Sequence, residues 1–313
     1  MAIQSYEPQV LVDTSNLTRD VWLEWRRKGI GGSDAAAILG VSPFSTARDL
    51  YYDKLNIVSV ENDEDNWVQK EIGHLLEDLV AKIFAQKTGF KIYQIKKMFY
   101  HPEHPFMLAD VDYFVELPDG KTAILEIKTT NYNATDHWWL DGKEVVPVNY
   151  EIQGRHYMSV MNIDRVYYCC LYGNNENEVI IRHIDRDEQF EEELIFLEEE
   201  FWENNVKAKV PPPYFENGDL VLSSLKKHSA NNDVDAPAVE LDLATSSKLR
   251  FLLELKEQKS RSEAETKRLE NEIKRYQVQI LDTMGSSCFA KCTIGDDSYE
   301  ISYKPIYKPY LKI

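Results

Sequence analysis

Asp112 and the run Glu126-Ile127-Lys128 are the residues whose types and spacing could do chemistry. They fall in two successive stretches, 106–116 and 123–129, that read as β-strands. In an extended strand, side chains at i and i+2 share a face, so Glu126 and Lys128 point together. Two carboxylates within reach of each other can hold a hard divalent ion, and an adjacent ammonium can position or deprotonate an attacking water. That combination suits metal-dependent hydrolysis of a phosphodiester. Asp110 shares a face with Asp112, and spacing leaves open which of them faces Glu126. Taken alone, Glu-Ile-Lys in a strand reads more readily as a solvent-facing charge pair.

The elements that must position these residues follow from periodicity. Residues 17–28 carry Val21, Trp22 and Trp25 at helical spacing, with Gly29 as a stop. The loop Gly29-Ile30-Gly31-Gly32-Ser33-Asp34 feeds a short helix, 35–39, with Ser33 placed as N-cap and amides that could bind an anion such as phosphate. A longer helix over 66–87 has an apolar stripe of Ile72, Leu75, Leu76, Leu79, Val80 and Ile83, with Glu77 on its border. Strands over 90–100, 106–116 and 123–129 follow, then a helix over 147–161 that sets Gln153 and Tyr157 one turn apart. Two strands, 165–172 and 178–185, and an acidic helix, 189–207, complete the series. The order predicts an α/β (α+β) core with a mixed central sheet flanked by helices.

Pro211-Pro212-Pro213 marks the end of that core. The expected organisation is a domain over 1–210, a linker over 211–240 and an arm over 241–313. The arm is a long charged helix to Met284 followed by a small hairpin turning at Gly295-Asp296-Asp297. Its heptad positions are apolar at both ends (Leu252, Leu255; Leu269, Ile273, Tyr276, Ile280) and polar between, which fits a weakly paired or locally packed coiled coil.

With 43% hydrophobic residues among 313, the chain can bury a real core and is too apolar for general disorder. No run of about 18 apolar residues occurs, so no membrane span is expected. The N-terminus lacks the basic-then-apolar pattern of a signal peptide, and a cytoplasmic protein is expected. The net charge of −17 argues against nucleic acid as a ligand unless metal ions and a local basic track offset it. The four cysteines, Cys169, Cys170, Cys288 and Cys292, form no CxxC pair and read as reduced structural thiols.

Five blocks taken in order are more specific than any one of them: GIGGSDAAAILG (29–40), GHLLE (73–77), FMLADVD (106–112), LEIKT (125–129) and YEIQGRHY (150–157). Over roughly residues 20–210 the chain resembles the YqaJ-type viral recombinases, relatives of phage lambda exonuclease within the PD-(D/E)XK nucleases. The resemblance implies an Mg²⁺- or Mn²⁺-dependent DNA exonuclease, 5′-to-3′ on linear duplex ends, that generates single strands for phage-type recombination. It makes Asp112 and Glu126 metal ligands, with the Ile127 carbonyl a third and Glu77 an outer or second-metal carboxylate. Lys128 would orient or activate the water, and Gln153 and Tyr157 would hold Lys128, the water or the scissile phosphate. The region of Arg26-Arg27-Lys28 and Ser33, with Arg27 and Ser33 at its centre, would lie near the DNA end and its phosphate. Asp110 departs from the pattern, since the family often carries a small or amide residue there. A ring-shaped trimer and a phage single-strand annealing protein are the partners the resemblance suggests.

Other readings are a nuclease of different polarity, a non-catalytic DNA-end-binding or recombination-assembly protein, and a scaffold working through its acidic helices. A zinc hydrolase is disfavoured, because no HExxH pattern exists.

Overall fold

The computed structural model describes residues 6–57, 67–229 and 235–302. The chain divides into two units, Met1–Asp233 and Val234–Ile313. The first begins with β1 (Gln9–Asp13), α1 (Arg19–Arg26), β2 (Ile30–Gly31), α2 (Gly32–Ile38), α3 (Ala47–Lys54) and α4 (Trp67–Thr88). Four short strands follow, β3 (Lys91–Tyr93), β4 (Lys97–Tyr100), β5 (Met107–Ala109) and β6 (Tyr113–Glu116), and then β7 (Thr122–Thr129). After the small ribbon β8 (Trp139–Leu140) and β9 (Lys143–Glu144) come α5 (Val148–Met161), β10 (Arg165–Leu171), β11 (Val179–Asp185), α6 (Glu188–Phe201) and α7 (Gly218–Ser229). The second unit holds α8 (Leu243–Met284), β12 (Phe289–Ile294) and β13 (Asp297–Ser302).

The expected mixed α/β core is present. Its main sheet runs β11-β10-β7-β6-β3, with β7 and β10 parallel and the other neighbours antiparallel. Alternation along β7 and β10 sorts their side chains between two helices. Ile124, Val166, Tyr168 and Cys170 share a core with Tyr157 and Met158 of α5. Leu125, Ile127, Tyr167 and Cys169 share the opposite core with Val80, Ile83 and Phe84 of α4. The parallel β7–β10 pair requires a crossover, and α5 supplies it.

The strands expected over 90–100 and 106–116 each break in two. β3 and β6 belong to the main sheet, whereas β4 and β5 pair with each other inside a second sheet, β1-β4-β5-β2. One hairpin thus crosses from sheet to sheet. Apolar alternation does not reveal the break, because both halves are buried: Met107, Leu108 and Ala109 on one side, Tyr113, Phe114 and Val115 on the other. Asp110 and Asp112 lie in the crossing, so they do not share a strand face.

Other expectations need correction. Of the α4 stripe, Val80 and Ile83 are buried, but Ile72, Leu75 and Leu79 are 45, 68 and 48% exposed, because only the second half of the helix lies on the sheet. Ser33 is not an N-cap: α2 starts at Gly32 and is capped at Gly31, with Asp34 reaching back to the Gly31 amide. The stretch read as linker, 211–240, contains α7, and the first unit extends to Asp233 rather than 210. Polar contacts hold α7: Ser224 Oγ donates to Asp49 Oδ1 at 2.7 Å, and His228 Nε2 lies 3.0 Å from the same oxygen. A segment anchored by hydroxyls and imidazole has little apolar periodicity to announce it.

The C-terminal hairpin pairs Ile294 with Asp297, and Gly295 turns it at φ +62°; residues 303–313, expected to continue it, lie outside the described residues. All four cysteines are free, and burial pushes the Cys169 and Cys170 thiols up to about 12. Among the described residues, no helix is long and apolar enough to cross a membrane.

α5 and α6 are tied by a buried pair. His156 Nδ1 lies 2.8 Å from Glu198 Oε1, and its Nε2 lies 2.8 Å from the Leu108 carbonyl oxygen. Burial opposes the imidazolium. Both ring nitrogens nevertheless face oxygen atoms, and the Glu198 carboxylate outweighs burial and raises the His156 pKa. A raised histidine contributes stability that is complete below its ordinary value, about 6.5, and is lost as pH rises through the folded value. The unfolding free-energy difference between wild type and His156→Gln is therefore expected to be largest near pH 6 and to shrink towards pH 9. Denaturant titrations across that range check it, and a difference independent of pH would contradict the assignment.

Candidate active site

Crossing between sheets leaves Asp112 without regular strand pairing, just ahead of β6. Tyr113 pairs with Leu125, which sets Asp112 next to Glu126 on β7. Asp112 Oδ2 accepts from the Ile127 N–H at 2.8 Å, and Glu126 and Lys128 rise from β7 on the face covered by α5. Asp110 turns elsewhere, accepting from the Trp22 indole N–H of α1 at 2.6 Å. The ambiguity between the two aspartates is thus resolved in favour of Asp112.

Lys128 Nζ donates to Glu126 Oε2 at 3.0 Å and to Gln153 Oε1 at 3.1 Å. Gln153 Nε2 donates back to Glu126 Oε2 at 2.8 Å, so acid, lysine and amide form a closed triangle. Lys128 Nζ also stands 5.0 Å from the centre of the Tyr150 ring, a cation–π contact that limits where the ammonium can go. Glu126 is 1% exposed, and its second oxygen, Oε1, is buried without a hydrogen-bond partner.

The electrostatics are those of crowded acids. Burial, then Asp112, pushes Glu126 up to about 8, and burial with Asp112, Asp78 and Asp110 pushes Glu77 on α4 up to about 7. Burial raises Asp112 as well. It opposes the Lys128 ammonium too, but Glu126 and Asp112 outweigh that and hold it charged. Asp78, next to Glu77, accepts from the Tyr113 hydroxyl at 2.5 Å.

Among the described residues, no three acidic, His or Cys side chains converge closely enough to hold one ion together. Asp112 and Glu126 are drawn instead to the Ile127 amide, the Lys128 ammonium and the Gln153 amide. Their donor set is nevertheless all oxygen, and Glu126 Oε1 is an orphan acceptor in a field that raises three carboxyls. A hard divalent cation satisfies both conditions.

α2 brings a second cluster up to this one. A Cβ on Gly32 would fall 2.7 Å from Cε1 of Tyr157 and 2.9 Å from Cγ of Gln153, so glycine permits the close approach. Arg26 Nη2 meets Ser33 Oγ and, at 2.8 Å, Asp34 Oδ1. Lys54 Nζ, fully buried, reaches Asp34 Oδ2 at 2.7 Å. Arg27 is turned away and pairs with Asp53 at 3.1 Å, so the cation beside Ser33 is Arg26. Adjacent residues on a helix lie about 100° apart, and Arg27 is already the C-cap of α1.

Trp22, Asp34, Lys54 and Tyr150 are site-forming residues that the sequence reading did not single out, whereas Arg26 belongs to the basic run expected there. Thr46-Ala47-Arg48-Asp49, a capping box that starts α3, was the available signal for Lys54: Thr46 Oγ1 accepts from the Asp49 amide at 3.0 Å, and Asp49 Oδ2 accepts from the Thr46 amide at 2.8 Å. No sequence signal connects Asp110 to Trp22.

Residues 21–164 match the YqaJ-like viral recombinase domain. The uncharacterized protein YqaJ of Bacillus subtilis (strain 168) is 36% identical over 273 residues, covering 86% of this chain and 82% of that protein. The chain belongs to the YqaJ-like viral recombinase family. Among solved structures, the alkaline exonuclease LHK-Exo from Laribacter hongkongensis aligns with TM-score 0.49 and 17% identity, over 61% of this chain and 94% of that one. A phage related exonuclease from Haemophilus somnus 129PT aligns with TM-score 0.43 and 14% identity, over 58% and 96% of the respective chains.

Proposed function

We propose that this chain is a metal-dependent deoxyribonuclease of the PD-(D/E)XK type that degrades linear duplex DNA from its ends, 5′ to 3′. The single strands it leaves would serve recombination through a single-strand annealing protein. The observation that carries this reading is the junction at which Asp112, Glu126 and Lys128 meet, with Gln153 bracing the last two.

Asp112, Glu126 and the Ile127 carbonyl are the groups that would hold Mg²⁺ or Mn²⁺, with Glu77 beside them. The ion supplies charge against the developing negative charge on phosphate and lowers the pKa of water. Lys128 is aimed by Glu126, Gln153 and the Tyr150 ring, so its ammonium is fixed where it can orient an attacking water and meet the phosphate oxygens. Gln153 keeps Glu126 and Lys128 in register, since its amide both donates and accepts. Tyr157 lies within the electrostatic reach of Glu126, Asp112 and Arg26. A phosphate bridging the Arg26–Ser33 corner and the metal site would pass it.

The test is digestion of linear duplex labelled separately at its 5′ and 3′ ends, with and without Mg²⁺, beside a closed circular duplex. Early release of the 5′ label, only with Mg²⁺ and only from linear DNA, is the expected result. Cutting of the circle would overturn the end-directed reading, and no degradation by folded protein would overturn the nuclease reading.

A further inference from the structure

The helix α8 spans 42 residues, roughly 63 Å at 1.5 Å per residue. None of its residues is buried. Its middle is laced by intrahelical ion pairs, Arg261–Glu257, Lys259–Glu263 and Arg268–Glu265 among them. Apolar side chains return at heptad spacing towards both ends: Leu252 and Leu255 are 47 and 61% exposed, and Leu269, Ile273 and Tyr276 are 47, 55 and 56% exposed. A seam of this kind reaching water on a helix this long is the half-interface of a coiled coil.

We propose that α8 pairs with α8 of a second copy, and that the pair is antiparallel. In an antiparallel pair each a position meets a d position. Setting Leu255 opposite Ile273 of the second copy also sets Leu252 opposite Tyr276, Lys259 opposite Leu269 and Ser262 opposite Thr266. The register is self-complementary: apolar layers close both ends, and small hydroxyl residues fill the centre around the two-fold axis. Lys259 lays its methylene stem on a leucine and turns its ammonium outward. A parallel pair would force Lys259 against its own copy inside the seam.

The flanking charges favour the same orientation. Antiparallel pairing brings Lys256 level with Glu270 of the second copy, whereas parallel pairing brings Glu265 against Glu270. Near the axis Glu263 and Glu265 approach their own copies, but each already holds a cation of its own helix, Lys259 at 3.6 Å and Arg268 at 2.7 Å. Because the two-fold axis runs through the arm, the pairing joins two chains whatever the first unit does, and it does not depend on the catalytic reading.

The test uses the full chain with its exposed cysteines removed (Cys288→Ser, Cys292→Ser). Leu255→Cys and Ile273→Cys are added singly and together, and each preparation is treated with a short bismaleimide. The double variant is expected to link into dimers, because these positions lie about 27 Å apart within one helix and meet only between copies. Each single variant is expected to remain unlinked. Efficient linking of Leu255→Cys to itself would mean a parallel pair and overturn the proposal. So would absence of linking in the double variant. Adding Leu255→Lys to the Ile273→Cys background and mixing with Leu255→Cys chains should abolish the cross-link that Ile273→Cys alone forms in the same mixture. Both sites are exposed, so unfolding of the first unit does not enter the result.

Discussion

Lys128→Met is expected to lower cleavage of linear duplex DNA by about 10²- to 10⁴-fold while leaving Mg²⁺ binding intact or tighter. The side chain donates to Glu126 and Gln153 and bears no acceptor, so it cannot be a ligand of a cation. It is the resident positive charge beside Glu126 and Asp112, and removing it leaves those carboxylates more open to a divalent ion. Methionine keeps the length and volume of the stem against the Tyr150 ring, which separates loss of charge from loss of packing. Glu126→Gln should behave differently, losing metal affinity and cleavage together, because it removes the buried acid whose Oε1 is otherwise unpartnered. Calorimetric Mg²⁺ titration and single-turnover cleavage should both be run at pH 9, above the Glu77 and Glu126 values of about 7 and about 8. Wild-type rates in Lys128→Met would remove the lysine from the mechanism. Parallel loss of Mg²⁺ affinity would make it a structural prop of the site.

Asp34→Ala is expected to cost about 3–5 kcal/mol of folding stability, because it leaves a buried cation without its counter-charge. Lys54 is fully buried and would retain only the Arg26 carbonyl, 3.2 Å from its Nζ, while Arg26 would lose its carboxylate partner. In a folding unit of this size the loss corresponds to a fall in Tm of about 6–20 °C. Burial disfavours ionisation of Asp34, but Arg26 and Lys54 outweigh it and hold its carboxyl well below the usual carboxylate range. For a depressed acid the stabilisation is present above the ordinary carboxylate pKa, about 3.9, and is lost as pH falls through the folded value. The penalty should therefore be full at neutral pH. Adding Lys54→Met to Asp34→Ala should recover much of it, since an apolar residue replaces the stranded ammonium. Calorimetric unfolding of the three variants decides the matter, and a single-variant loss below about 1 kcal/mol would show that water reaches Lys54.

The order and type of the main elements were legible because their signals are local. Gln153 and Tyr157 sit one turn apart on α5, and Glu126 and Lys128 share a face of β7, as backbone periodicity requires. The heptads of α8 and the turn at Gly295 are of the same kind. The splitting of two strands was not legible. Each half is apolar enough to be buried, and which sheet buries it is a property of neighbours far along the chain. α7 escaped notice because Asp49, 175 residues away from Ser224, is what makes its polar face a buried one.

The sequence by itself determined which residues could do the chemistry and which element carries each, because residue type and helical or strand period are properties of short segments. Only the tertiary structure decided which of them meet. It turned Asp112 to the Ile127 amide and Asp110 to Trp22, put Arg26 rather than Arg27 beside Ser33, and gathered Asp34 and Lys54 into the foundation of that corner. These choices rest on a hairpin that changes sheets and on a glycine that lets two helices touch. Both are long-range packing outcomes, and no local period encodes them.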